Sequence, residues 1–186
     1  SLKRMGSSVA FICADFSSSG GDKVVFRQEL KAQAATLGLN ENEVIFLSER
    51  VPEFALHAPH DVMRQLFSVS NTFLLPSVSE TYSLVMQEAG LMGNFCIGNF
   101  DFLPMRSIFG EDVKYFKFSA NIGQDGLDGN TKTEYASRSA YFDDIARYVR
   151  YVLANDRVLR MKTNLRKNRG LRAVFKNYLE PALHAD

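Results

Sequence analysis

Cysteine, excess charge and long apolar runs are what this chain of 186 residues has little of. Its two cysteines, Cys13 and Cys96, are too few for a disulfide framework or a cysteine metal cluster, and both sit in apolar runs that predict buried strands. A reducing, cytoplasmic setting follows as the expectation. Lysines and arginines number 22 against 21 acids, a balance that argues against a nucleic-acid binder acting through its whole surface. No run approaches the ~18 apolar residues of a transmembrane helix, and the N-terminus lacks the apolar core of a signal peptide. There is no internal repeat and no sign of a second core. Ser1-Leu2 ahead of Lys3-Arg4-Met5 reads as a cloning remnant, which would make the chain part of a longer protein.

What is there suffices for one packed domain. A hydrophobic content of 46 % over this length is expected to bury about 70 % of the surface of the unfolded chain. Short apolar runs at 9–14, 43–47, 72–76, 95–97 and 113–118 predict five strands, and segments of helical period separate them. The first helix, capped by Asp22, should bury Val25, Leu30, Ala34 and Leu37 and stop at Gly38. A second, over 61–69, should turn Val62, Leu66 and Val69 inward, and a third, over 83–92, should end at Gly93. From 133 onward the pattern is helical, in lengths of 133–154, 156–168 and 171–184. Alternating strand and helix predicts an α/β fold, a Rossmann-like three-layer αβα sandwich with a mainly parallel sheet and a helical C-terminus. The glycines at 123, 126 and 129 belong to a loop and lack the strand-then-helix frame of a phosphate cradle.

Chemistry concentrates at one junction. The strand at 72–76 runs into Pro76-Ser77-Val78-Ser79-Glu80, and Glu88-Ala89-Gly90 follows on the next helix, so two carboxylates flank a strand-to-helix turn. Open α/β sheets bind ligands at the carboxyl ends of their strands, and the free N–H groups of a helix start favour an anion. The block from Glu43 to Gly90, with Val44-Ile45-Phe46-Leu47-Ser48, the helix around Met63-Arg64-Gln65-Leu66-Phe67, and Pro-Ser-x-x-Glu-x7-Glu-Ala, resembles the C-terminal, donor-binding domain of retaining glycosyltransferases with the GT-B fold. The resemblance implies a nucleotide-sugar as donor substrate, no other cofactor, and a glycan or lipid-linked acceptor. It also implies a partner in an N-terminal Rossmann-like domain of the same protein, without which turnover would be slight. Glu80 would hold hydroxyls of the transferred sugar and support its cationic transition state. Glu88 would take the ribose hydroxyls. The N–H groups of Thr81, Tyr82, Ser83 and Leu84 would meet phosphate or sugar, and the loop after the second strand, Ser48 to Val51 with Arg50, the nucleobase.

Three departures weaken the resemblance. The Gly-Arg...Lys-Gly segment with which metal-free relatives hold the diphosphate is missing, and Lys23 is a poor substitute. Where relatives carry a Gly-Gly-x-x-Glu turn, this chain has 98–107, in which Arg106 could meet an anion and Asp101 a hydroxyl, although Phe100, Phe102 and Leu103 more simply seal a sheet edge. Many relatives also place glycine where Thr81 and Ser83 stand. These differences leave open a non-catalytic interaction or regulatory module on the same scaffold. His57 and His60 lie among prolines and make an irregular pair, so a metal is not expected there. The eight basic and no acidic residues of 157–176 accompany apolar stripes; packing on the sheet is the preferred reading, with peripheral contact to an anionic membrane as the other.

Overall fold

Brief β-rich runs bounded by polar turns can pair in parallel only through crossovers, and the intervening helices supply them. The computed structural model describes residues 1–15, 24–77, 82–118, 137–155 and 159–183. The chain is α/β, with parallel strands and a helical C-terminus, and divides into two compact units at residue 63/64, Ser1 grouping with the second.

In the first unit β1 (Phe11–Cys13) pairs with β2 (Val44–Phe46), Phe11 opposite Val44 and Cys13 opposite Phe46. Between them runs α1 (Val24–Thr36), and Gly38 ends it at φ +79° while the N–H of Leu39 reaches back to the carbonyl of Ala34. The expected apolar stripe is corrected: Val25 is 64 % and Leu37 75 % exposed, whereas Arg27, Leu30 and Ala34 are half-buried. The ion pair of Arg27 with Asp15 fixes the rotation of α1, and the apolar residues follow it. After β2 come a single turn, α2 (Leu47–Arg50), and a 3-10 turn at Pro52–Phe54. The unit boundary falls within α3 (His60–Val69).

The second unit is built on β3 (Thr72–Leu75), β4 (Phe95–Asn99) and β5 (Lys114–Phe116), parallel and in that order. Side chains alternate across β4 and define two covered faces. Phe95 and Phe116 point to one, where both meet Tyr148 of α6 (Arg138–Ala154). Cys96 points to the other, toward the carbonyl of Met86 in α4 (Leu84–Met92), and Tyr115 joins it there by donating to the carbonyl of Met105. Helix, sheet and helix therefore form three layers in this unit. In α3 Phe67 is buried edge-on against Phe73, and Val69, expected inward, is 78 % exposed.

One helix goes unannounced by the sequence pattern. The segment 98–107, expected to seal a sheet edge, contains the start of α5 (Leu103–Phe109), with Pro104 in its first turn. It buries Met105 and Phe109 and leaves Leu103 and Phe100 exposed. The C-terminal helices also differ from expectation. Ser137 caps α6 by accepting the N–H of Ala140 at 3.1 Å, and the 133–136 start falls outside the described residues. In α7 (Leu159–Arg169) Met161 and Leu165 pack inward, and Gly90 of α4 admits Met161 so closely that a Cβ there would meet its sulfur at 2.7 Å. The length predicted as one helix from 171 is broken into α8 (Leu171–Val174), a π turn (Phe175–Leu179) and α9 (Glu180–Leu183). Pro181 explains the break: it has no N–H for the carbonyl four residues earlier, so the backbone unwinds just before it.

Candidate functional site

The exit of β3 is held by its neighbour. Asn99, at the end of β4 and fully buried, donates its amide to the carbonyl of Ser77 at 3.4 Å and accepts the N–H of Asp101 at 3.1 Å. Glu80 and Thr81, like Lys23, lie outside the described residues. Beyond Tyr82, Ser83 takes φ +48°, ψ +68° at the head of α4, the left-handed region, which no other described non-glycine residue adopts. Its carbonyl accepts the N–H groups of Met86 and Gln87, so the turn leads directly into the helix. Ser83 is 5 % exposed, and its hydroxyl has no hydrogen-bond partner among the described residues.

Helical spacing sorts the remaining residues. Met86, Ala89 and Gly90 of α4 face inward, while Glu88 follows Leu84 by one turn and shares its more open side. Leu84 and Tyr82 are exposed, and Glu88 is half-buried. The structure thus brings Tyr82, Ser83, Leu84 and Glu88 onto one turn and helix of the second unit. Arg50 belongs to the first unit, exposed at the end of α2.

The neighbourhood of Arg50 is organised by an acid that lies just past the end of β1. Asp15, buried, accepts the Ser48 N–H at 3.1 Å, the Ser48 hydroxyl at 2.6 Å and Arg27 Nη1 at 3.0 Å. Burial pushes its carboxyl up, yet the bonds from Ser48 and Arg27 outweigh it and hold the pKa below the ordinary carboxylate value. Glu49 extends the network, 3.7 Å from Arg27 Nε and paired with Lys31. An acid closing an apolar strand run was the available signal, and it points to Asp15 alone.

Of the remaining residues, Arg106 lies over the ring of Phe100 at 4.1 Å, and Asp101 is exposed. Among the described residues no three metal-binding side chains cluster, around His57 and His60 or elsewhere. Cys96 is buried, which pushes its thiol up to about 12, while Cys13 is only half-buried, against the expectation of a buried strand.

Sequence reasoning missed a cleft of about 610 Å³ in the second unit, between α4, the end of α5 and α7. Arg169 closes one wall: its guanidinium donates to the Tyr82 hydroxyl at 2.9 Å and to the carbonyl of Ile108. Asn164 donates to Asp112 at 2.7 Å on another. These residues are up to 87 positions apart, and no local pattern announces their meeting. Neither protein-family models, nor curated protein sequences, nor solved structures give a match to the chain.

Proposed function

We propose that this chain is the nucleotide-sugar-binding half of a retaining glycosyltransferase of the GT-B type, working with a second Rossmann-like domain of the same protein. The observation that carries the reading is Ser83. Its backbone keeps the left-handed turn that glycine favours, at a position where many relatives in the resembling family have glycine, and it does so at an energetic cost to a serine. The turn opens α4, whose first N–H groups suit a diphosphate, and Glu88 stands one turn on for the ribose. Glu80 completes the set as the residue assigned to the transferred sugar. Transfer would proceed by positioning the donor and stabilising charge as the diphosphate leaves.

Isothermal titration against a panel of nucleotide-sugars tests this: one should bind, and Glu88→Ala should abolish its heat. Silence across the panel would remove the reading. One observation favours a non-catalytic module instead. Arg27, on the helix that follows the first strand, is neutralised by Asp15 and Glu49 and so is not free to meet a diphosphate. That second reading takes over if no nucleotide binds.

A lipid-linked acceptor is supported by the C-terminal helices. Leu171, Phe175, Leu179 and Leu183 are exposed at four-residue spacing, beside Arg172 and Lys176. In a pure α-helix such a stripe drifts by about 40° per step, and the looser π turn partly reverses the drift, keeping the four residues nearly in line. An apolar line flanked by cations suits an anionic membrane surface. Sedimentation with phosphatidylglycerol vesicles, but not with phosphatidylcholine vesicles, is expected, and Leu171→Ser with Phe175→Ser should abolish it.

A further inference from the structure

The cleft between α4, α5 and α7 shares only Tyr82 with the residues assigned to the donor. Gln87 lines it with its Nε2 buried and, among the described residues, lacking any hydrogen-bond partner. Folded proteins seldom leave a buried amide donor unmatched, and where they do, a missing ligand is one physical explanation. Charge narrows the class of that ligand. Arg169 and Asp112 are the two charged residues of the lining, so a phosphate would meet the carboxylate of Asp112 and an ammonium group the guanidinium of Arg169. Both penalties vanish for a neutral ligand.

The aromatic rings narrow it further. The Arg169 guanidinium lies 5.3 Å from the Phe109 ring and 5.7 Å from the Tyr82 ring, so a nucleobase would have to compete with it for both aromatic rings of the lining. What remains is a wall of amides, from Gln87, Asn164 and Asn168, over an apolar floor that includes Leu165. Amides donate and accept at once, which matches hydroxyls, themselves donors and acceptors. We propose that the cleft binds a neutral oligosaccharide, with Gln87 Nε2 donating to a sugar oxygen and Asn168, exposed at the rim, bridging neighbouring hydroxyls. The volume lies within the roughly 300–1,000 Å³ of small-molecule sites and takes more than one sugar ring. The site stands on the cleft alone and is independent of the donor reading.

The test is titration of the whole chain, by calorimetry or NMR shift perturbation, with linear glucan, xylan, mannan and chitin oligomers, and with inorganic phosphate and uridine diphosphate as controls. At least one neutral oligomer should bind. Gln87→Met and Asn168→Ala should each weaken it about tenfold, as expected for loss of a hydrogen bond from a desolvated site. Gln87→Met should at the same time raise the melting temperature, because it removes the unmatched donor; binding lost with stability gained separates a ligand role from a structural one. The proposal is overturned if no oligomer binds, if binding survives both substitutions, or if phosphate competes for the cleft. A chain that binds oligosaccharide but no nucleotide-sugar keeps this site and loses the donor reading, and the opposite result does the reverse.

Discussion

The two units are held together by different physics. Among the described residues, the second buries fifteen apolar side chains, from Phe67 to Leu165, on both faces of its three-stranded sheet. The first buries three, Val44, Phe46 and Leu47, and relies on Asp15 to tie β1 to α1 and α2 through Arg27 and Ser48. Hydrophobic burial is non-directional and survives small shifts, whereas a buried carboxylate depends on each donor being in place. The first unit should therefore be the weaker and the more sensitive to pH. Each unit also carries one thiol, Cys13 in the first and Cys96 in the second, so the contrast can be measured directly.

Phe46→Ala should do the most damage. Removing a fully buried aromatic side chain costs about 3–5 kcal/mol, and here it takes one of only three apolar anchors. Thiol labelling under native conditions should then modify Cys13 quickly while Cys96, buried and with its thiol pushed up to about 12, stays protected. Equal labelling of both would mean that the units open together, and the comparison would fail.

Asp15→Asn comes next, with a cost of about 1.5–3 kcal/mol for weakening hydrogen bonds to a charged group. The pH dependence follows in sign from the lowered pKa of Asp15 in the folded chain. Its contribution is fully present above the unfolded value of about 4 and is lost as pH falls through the lower folded value. Denaturant midpoints should thus separate wild type from Asp15→Asn at neutral pH and converge in acid. Hydrogen exchange should place the difference in residues 2–63. A gap that persisted at low pH would show that packing, and not the carboxylate, holds this unit.

The second unit can be strained in its turn. Gly90→Val would push a side chain into Met161, whose sulfur and terminal methyl lie only 2.7 Å from the point a Cβ would occupy, and overpacking of this kind costs about 1–3 kcal/mol. Pairing it with Met161→Ala should recover part of the loss, whereas additive losses would show that the two residues do not share the space.

How much of this could be read from sequence depends on the range of the interaction. The strands at β2, β3 and β4 and the stop signals at Gly38 and Gly93 were legible because strand period and glycine's left-handed backbone are local properties. The rotation of α1 was not, because it is set by Arg27 reaching Asp15 across twelve positions, a polar contact that overrides a weak apolar stripe. Helix α5 was hidden by Phe100 and Phe102 just before it and by Leu103 at its start, which read equally well as a sheet edge. At the candidate site the turn before α4 was legible and its strain was not, since serine rarely announces a positive φ. The cleft depends on α7 meeting α4, a tertiary fact with no local trace.

That strain supplies the smallest effect and the most pointed comparison within the second unit. Ser83 holds a left-handed backbone that disfavours an L-residue by about 1–2 kcal/mol, and Ser83→Gly removes this cost while adding the greater chain entropy of glycine in the unfolded state. A net gain of up to about 1 kcal/mol is expected, read as a rise in denaturant midpoint at unchanged slope. Ser83→Val should move the other way, because a β-branched side chain tolerates this region least. If the serine is retained for its hydroxyl, which is buried and unpartnered, the glycine variant should gain stability and bind the donor more weakly. Gaining stability with binding unchanged would instead assign the backbone turn the whole of the role, leaving the hydroxyl a by-product of a position that glycine could fill.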